Sequence, residues 1–72
     1  MTKQGIMIYN PISQRMCIAS AEYRYDLHCG DCIQIHIDGK WVETRLEMRW
    51  PGGEWYLVGL PDIDIVGARV RM

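Results

Sequence analysis

Apolar and polar residues alternate with a period of two through most of the second half of the chain. Ile33, Ile35 and Ile37 interleave with Gln34, His36 and Asp38, and Val42, Thr44, Leu46 and Met48 interleave with Glu43, Arg45, Glu47 and Arg49. Trp55, Leu57 and Gly59 continue the pattern, with Tyr56 and Val58 between them. Successive side chains on a strand point to opposite faces, so each run predicts a half-buried strand. Asp38-Gly39 suits a two-residue type I′ hairpin turn, which needs positive φ at both positions. Pro51-Gly52-Gly53 marks a second turn, where Pro presets φ and Gly accepts positive φ. The stretch from Asp31 to Leu60 therefore predicts a three-stranded antiparallel meander.

The flanking segments add shorter strands. Gly5 to Tyr9 and Met16 to Ala19 read as strands around a turn that begins at Asn10-Pro11. Tyr23 and Tyr25 alternate with Arg24, which suits a short edge strand or an ordered loop. Pro61-Asp62-Ile63-Asp64 reads as a turn or one turn of 3₁₀ helix. Val66 to Met72 reads as a last strand, with Val66, Ala68, Val70 and Met72 inward and Arg69 and Arg71 outward. No segment carries a helical period. A single open sheet would leave one face and two edges bare, so closure is the economical solution. The expectation is one all-β domain over residues 1–72: a small SH3-like barrel of five to six short antiparallel strands with a 3₁₀ turn before the last.

The first hairpin turn sets a register. It pairs Ile37 with Lys40, Ile35 with Val42, His36 with Trp41, Gln34 with Glu43 and Cys32 with Arg45. If the second turn pairs Arg49 with Glu54, then Glu47 meets Tyr56. Directly opposite side chains lie about 5 Å apart at Cβ. One outer face then collects His36, Trp41, Glu43, Arg45, Glu47 and Tyr56: an imidazole, two aromatic planes, a guanidinium and two carboxylates. Such a face can hold a nucleotide, a peptide or a partner loop, although alternating Glu and Arg on an exposed strand is more often a solvated surface laced with ion pairs. Trp50, beside the second turn, is a candidate anchor or a lid packed over the barrel mouth. Arg69 and Arg71 put two guanidiniums on one side of the last strand, where they suit phosphate or carboxylate.

Composition narrows the partners. The chain has 72 residues, is 49% hydrophobic, has no Phe and carries a net charge of −1. That charge makes a weak case for nucleic acid, because non-specific binding draws on a basic surplus. No apolar run approaches the ~18 residues of a membrane span, and MTKQGIMIYN lacks a signal-peptide core. The expectation is a cytoplasmic protein with three reduced cysteines.

Other chemistry is thin. His28, Cys29, Cys32 and His36 form H-C-x-x-C-x-x-x-H, and C-x-x-C on a turn is a common zinc half-site. A second half-site is missing. Cys32 and His36, four strand residues apart, would be roughly 13 Å from each other. Small thiols are the commoner reading, and no metal or cofactor is expected. Ser13 and Ser20 have no adjacent histidine to activate them. Asp62 and Asp64 are more often turn caps than a cation site. The chain is expected not to be an enzyme.

The runs Leu27-His28-Cys29-Gly30-Asp31, Asp38-Gly39-Lys40-Trp41, Thr44-Arg45-Leu46-Glu47 and Trp55-Tyr56-Leu57-Val58-Gly59, with a tail of Gly67, Val70 and Arg71, resemble a small family of bacterial domains of unknown function. That family is met in Gram-positive bacteria, often on phages, plasmids and conjugative elements. The resemblance covers most of the chain from Leu27 onward and transfers no catalytic residue. It implies an accessory protein of a mobile element that works by binding. The leading expectation is an anti-defence protein that blocks a host immune effector or sequesters its nucleotide signal. The alternatives are a nucleic-acid module using Arg45, Arg49, Arg69 and Arg71 and, behind it, a small zinc protein. A homodimer would add apolar burial to so small a domain.

Overall fold

The computed structural model describes residues 3–60 and 62–72. It is all-β, with seven antiparallel strands: β1 (Gln4–Asn10), β2 (Arg15–Ala19), β3 (Arg24–Asp26), β4 (Cys32–Ile37), β5 (Lys40–Arg49), β6 (Glu54–Leu57) and β7 (Arg69–Arg71). Their order in the sheet is β3-β2-β1-β7-β4-β5-β6. The meander β4-β5-β6 has the register that its turns imply, from Ile37 opposite Lys40 to Cys32 opposite Arg45, and from Arg49 opposite Glu54 to Glu47 opposite Tyr56. Asp38 and Gly39 both take positive φ, at 49° and 80°. Among the described residues no helix is long and apolar enough to cross a membrane.

The expected closed SH3-like barrel does not form. The sheet ends at β3 and β6, strands of three and four residues that do not pair with each other. Both edges carry charge, Arg24 and Asp26 on one and Glu54 on the other, which discourages further strand addition. The alternation at Tyr23 and Tyr25 resolves as β3, which makes seven strands rather than five or six. No 3₁₀ helix is present among the described residues. Pro61 lies outside them, and the segment after it turns with the Ile63 N–H donating to the Leu60 carbonyl at 3.4 Å. The last strand is also shorter than expected, and Val66 is 56% exposed rather than inward.

A glycine accounts for that shortening. Gly67 takes a φ of +90° inside a turn where the Ala68 N–H donates to the Ile65 carbonyl. The Gly67 N–H then donates to the Met7 carbonyl at 2.7 Å, and the Met7 N–H donates to the Ala68 carbonyl at 2.8 Å. Two residues thus oppose one, which is a bulge with glycine in the left-handed position. The same arrangement recurs at Gly30 (φ +91°). There the Gly30 N–H donates to the Leu46 carbonyl, the Leu46 N–H donates to the Asp31 carbonyl, and the Asp31 N–H closes the turn onto the His28 carbonyl. Each bulge redirects the chain as it enters a strand, β4 in one case and β7 in the other.

The inner face gathers Met7, Met16, Ile18, Leu27, Ile33, Ile35, Leu46, Leu57 and Val70 into one core cluster, each at most 2% exposed. Both ends of the sheet contribute to it, so the open sheet curls around a shared core. β7 is the joint, because it pairs with β1 on one side and β4 on the other.

Candidate functional site

The insertion of β7 beside β4 decides what the outer face looks like. Arg71 pairs with Gln34 across β7–β4 and with Gln4 across β7–β1. Continuing the Ile35–Val70 register puts Arg69 opposite His36, which itself opposes Trp41. The two arginines of the tail therefore stand over the aromatic pair of the first hairpin. The Arg71 guanidinium lies 4.1 Å from the Trp41 ring centroid and that of Arg69 lies 6.0 Å from it. His36 meets the indole edge-on, with ring centroids 5.1 Å apart. Arg71 Nε donates to Gln34 Oε1 at 2.6 Å. Arginine offers only donors, so this bond leaves the Gln34 amide NH₂ directed elsewhere as a free donor.

Among the described residues neither Arg69 nor Arg71 is ion-paired with a carboxylate. Glu43, opposite Gln34 on the other side, also has no ion-pair partner among them. A shallow groove of about 370 Å³ runs between them, lined by Cys32, Ile33, Gln34, Glu43, Arg71 and Met72. The cluster offers guanidinium donors for an anion, an amide donor and a carboxylate acceptor for a polar edge, and stacked planes for a flat group.

The other expected site residues fall elsewhere and satisfy one another. Arg45 Nε and Glu47 form an ion pair at 2.9 Å, and Arg49 and Glu54 form one at 3.5 Å. Arg49 also stacks on Tyr56 at 4.7 Å. These residues form the solvated, ion-paired surface that alternating charges commonly make. Trp50 is 74% exposed at the β5–β6 turn. It does not cap a barrel mouth. It lies nine positions along the chain from Trp41, roughly 30 Å if β5 ran straight. The structure thus brings together His36, Trp41, Glu43, Arg69 and Arg71; Arg45 borders the adjoining groove with Glu43 and Cys32 but is ion-paired to Glu47, and Tyr56 and Trp50 lie further along the meander. Sequence reading left Gln34 out of the site. Its only signal was its place opposite Glu43, which does not reveal that an arginine arrives from the other side.

The H-C-x-x-C-x-x-x-H run has a local explanation. His28 to Asp31 is the turn that feeds the Gly30 bulge, and the Asp31 carboxylate accepts from the His28 backbone N–H at 2.8 Å. Cys29 and Cys32 are exposed. Among the described residues no group of three or more His, Cys, Asp or Glu is placed to hold a metal ion.

Cys17 differs from the other thiols because it is fully buried. Burial pushes this thiol up, and Asp26 across the ladder adds to the effect while Arg24 opposes it. A raised value is the reverse of activation. Cys29 and Cys32 should react with a thiol-specific chromogenic reagent at once in native protein, and Cys17 only at the rate of unfolding. Three equally fast thiols would contradict this. Because the folded thiol titrates above the unfolded one, its contribution to stability is present below the unfolded range, about pH 8.5. It is lost as the pH rises beyond that.

A family model described as a domain of unknown function (DUF5348) matches residues 5–72. A crystal structure of a protein from Ruminococcus gnavus superposes with a TM-score of 0.84 at 38% identity, covering 96% of this chain and 99% of that one. No curated protein matches.

Proposed function

The chain belongs to the family of domains of unknown function DUF5348, and because membership assigns no activity, we propose from the outer face itself that this is a non-catalytic module that binds an anionic ligand bearing a flat polar group at Trp41. The observation that carries this reading is the pair of guanidiniums, Arg69 and Arg71, gathered at one indole without a carboxylate partner among the described residues. A buried charge pair would not leave two guanidiniums without a carboxylate; Arg71 spends its Nε on Gln34 and keeps its terminal N–H groups for an anion. Nucleotide chemistry fits both halves of the cluster. Phosphate suits the guanidiniums, and a base edge suits the Gln34 amide donor and the Glu43 carboxylate. The non-catalytic part rests on the inert setting of the buried Cys17 thiol, which burial pushes up rather than activates.

In the mobile-element setting that the sequence resemblance implies, such a module serves as a small anti-defence protein. It sequesters a nucleotide signal, or it blocks the nucleotide-facing surface of a host immune effector.

A variant retaining Trp41 as its only tryptophan (Trp50→Phe with Trp55→Phe) reports on this directly. ATP should quench it saturably while sodium sulfate at equal ionic strength quenches it weakly. Arg69→Gln with Arg71→Gln should weaken ATP binding at least tenfold, since hydrogen bonds to charged groups contribute about 1.5–3 kcal/mol each. Absence of saturable quenching by ATP rejects the proposal. Native mass spectrometry of freshly purified protein, read for a carried-over phosphate-bearing ligand, is an independent check.

A further inference from the structure

Trp41 is one end of a longer line. Arg24 opposes Ala19, Ala19 opposes Ile6, and Ile6 opposes Arg69. The line continues through His36 to Trp41. Directly opposed residues share a face, so these six side chains form one outward row crossing β3, β2, β1, β7, β4 and β5. Neighbouring strands are about 4.8 Å apart, so the five spacings cover about 24 Å of curved surface. Its chemistry alternates. A guanidinium at Arg24 precedes the small Ala19 and Ile6, which is 43% exposed. The second guanidinium, Arg69, follows, and then the imidazole and the indole with Arg71 stacked on it. Among the described residues Arg24, like Arg69 and Arg71, has no ion-pair partner.

Resting on the binding reading above, we propose that the ligand is a single-stranded nucleic acid of about four nucleotides laid across the strands along this row. A free nucleotide would occupy only the Trp41 end. It would leave unexplained why the exposed apolar and cationic positions continue to Arg24. An acidic peptide would use the guanidiniums but would fill the Arg71–Trp41 stack and the His36 position only with aromatic residues at matching places, whereas every nucleotide brings a flat base. A duplex would hide its bases from those planes. The overall charge of −1 also fits a short single strand better than a duplex, whose binding scales with many phosphate contacts. Alternating stacking planes and phosphate donors on a β-sheet face are the general means of gripping unpaired bases. One terminal base stacks against the Arg71 guanidinium, which Trp41 backs, with its polar edge toward Gln34 and Glu43. Arg69 and Arg24 take phosphates on either side of Ile6.

Fluorescence anisotropy with labelled ten-nucleotide DNA and RNA of mixed sequence, each single-stranded and as a duplex, tests this on the full chain. The expected result is single-strand binding at least tenfold tighter than duplex binding. The slope of log K against log salt should be about −1.4, since the two phosphate-binding guanidiniums, Arg24 and Arg69, contribute about −0.7 each. Arg24→Gln should flatten the slope by about 0.7 and leave ATP quenching of Trp41 unchanged. Trp41→Ala should abolish binding while Trp41→Phe retains it, and Ile12→Ser, at a hairpin tip 94% exposed, should bind as the parent does. Melting curves confirm that each variant is folded. The DNA and RNA arms decide which sugar is preferred. Quenching by ATP without oligonucleotide binding would overturn the row and leave the nucleotide reading standing. No response to either probe would overturn both, and equal binding of duplex and single strand would overturn the role of the stacked planes.

Discussion

Val70→Asp should leave the chain largely unfolded at 25 °C in buffer. Val70 is 0% exposed and stands at the middle of a three-residue strand that pairs with β1 through Gly5 and with β4 through Ile35. A carboxylate there would enter the core cluster with no charged partner, at a cost of several kcal/mol even after it takes up a proton. A 72-residue domain has only about 4–11 kcal/mol of total stability at ~0.05–0.15 kcal/mol per residue. Loss of β7 would also expose two new sheet edges and split the core between two three-stranded halves. Val70→Ala should cost about 2 kcal/mol, from two lost methyl groups and the space they leave. Val66→Asp, four residues earlier and exposed, should shift stability by no more than about 0.5 kcal/mol. Urea denaturation followed by circular dichroism checks all three. A Val70→Asp protein with the parent's midpoint would refute the role given to β7 as the joint of the fold.

Gly5→Val should be nearly as damaging, and for a reason unrelated to backbone conformation. Gly5 is not among the residues with positive φ. A Cβ built there runs into the Ala19 carbonyl oxygen and its carbon, and meets Ile18 Cγ2 at 3.1 Å. The first two of these obstacles are backbone, which cannot rotate aside. At this point β1 pairs with β7 and also lies against the Ala19 backbone of β2, the close backbone approach that a strand glycine often marks. Gly5→Ala should cost about 1–3 kcal/mol, in the range of overpacked cores, and Gly5→Val more. At Gly52, by contrast, a Cβ meets nothing within 4 Å, so an alanine there is opposed only by its φ of +110°. If Gly5→Ala melts with the parent, the close approach is not a constraint on the fold.

The meander was legible because each of its determinants is local. Period-two alternation sets the strands, Asp38-Gly39 sets the turn, and a two-residue turn leaves one register that keeps Ile33 and Ile35 opposite Thr44 and Val42. Closure was not legible. Economy of edges favours a barrel, but β3 and β6 are too short and too charged to find each other, and the curled sheet shares its core without pairing them. The candidate site was half legible. His36 and Trp41 follow from the hairpin register, and Arg69 and Arg71 follow from their alternation with Val70. Nothing local says that these two pairs belong together. Arg45 and Glu47, which local alternation placed on the same face as Trp41, instead pair with each other, and Tyr56 takes the Arg49 guanidinium, because ion pairs form between the nearest opposite charges.

By itself, then, the sequence determined an all-β chain, the three-stranded meander with its register, and which side chains of that meander face out. These depend on interactions between residues a few positions apart. Only the tertiary structure decided that β7 enters between β1 and β4, that Gly5 must lack a side chain, and that Arg24 and Arg69 share one row with Trp41, on which Arg71 stacks. Those features join residues up to 67 positions apart, as where Gln4 pairs with Arg71. Pairing over such separations depends on the whole chain's burial of Met7, Ile35 and Val70 in one core, and no window of the sequence contains it.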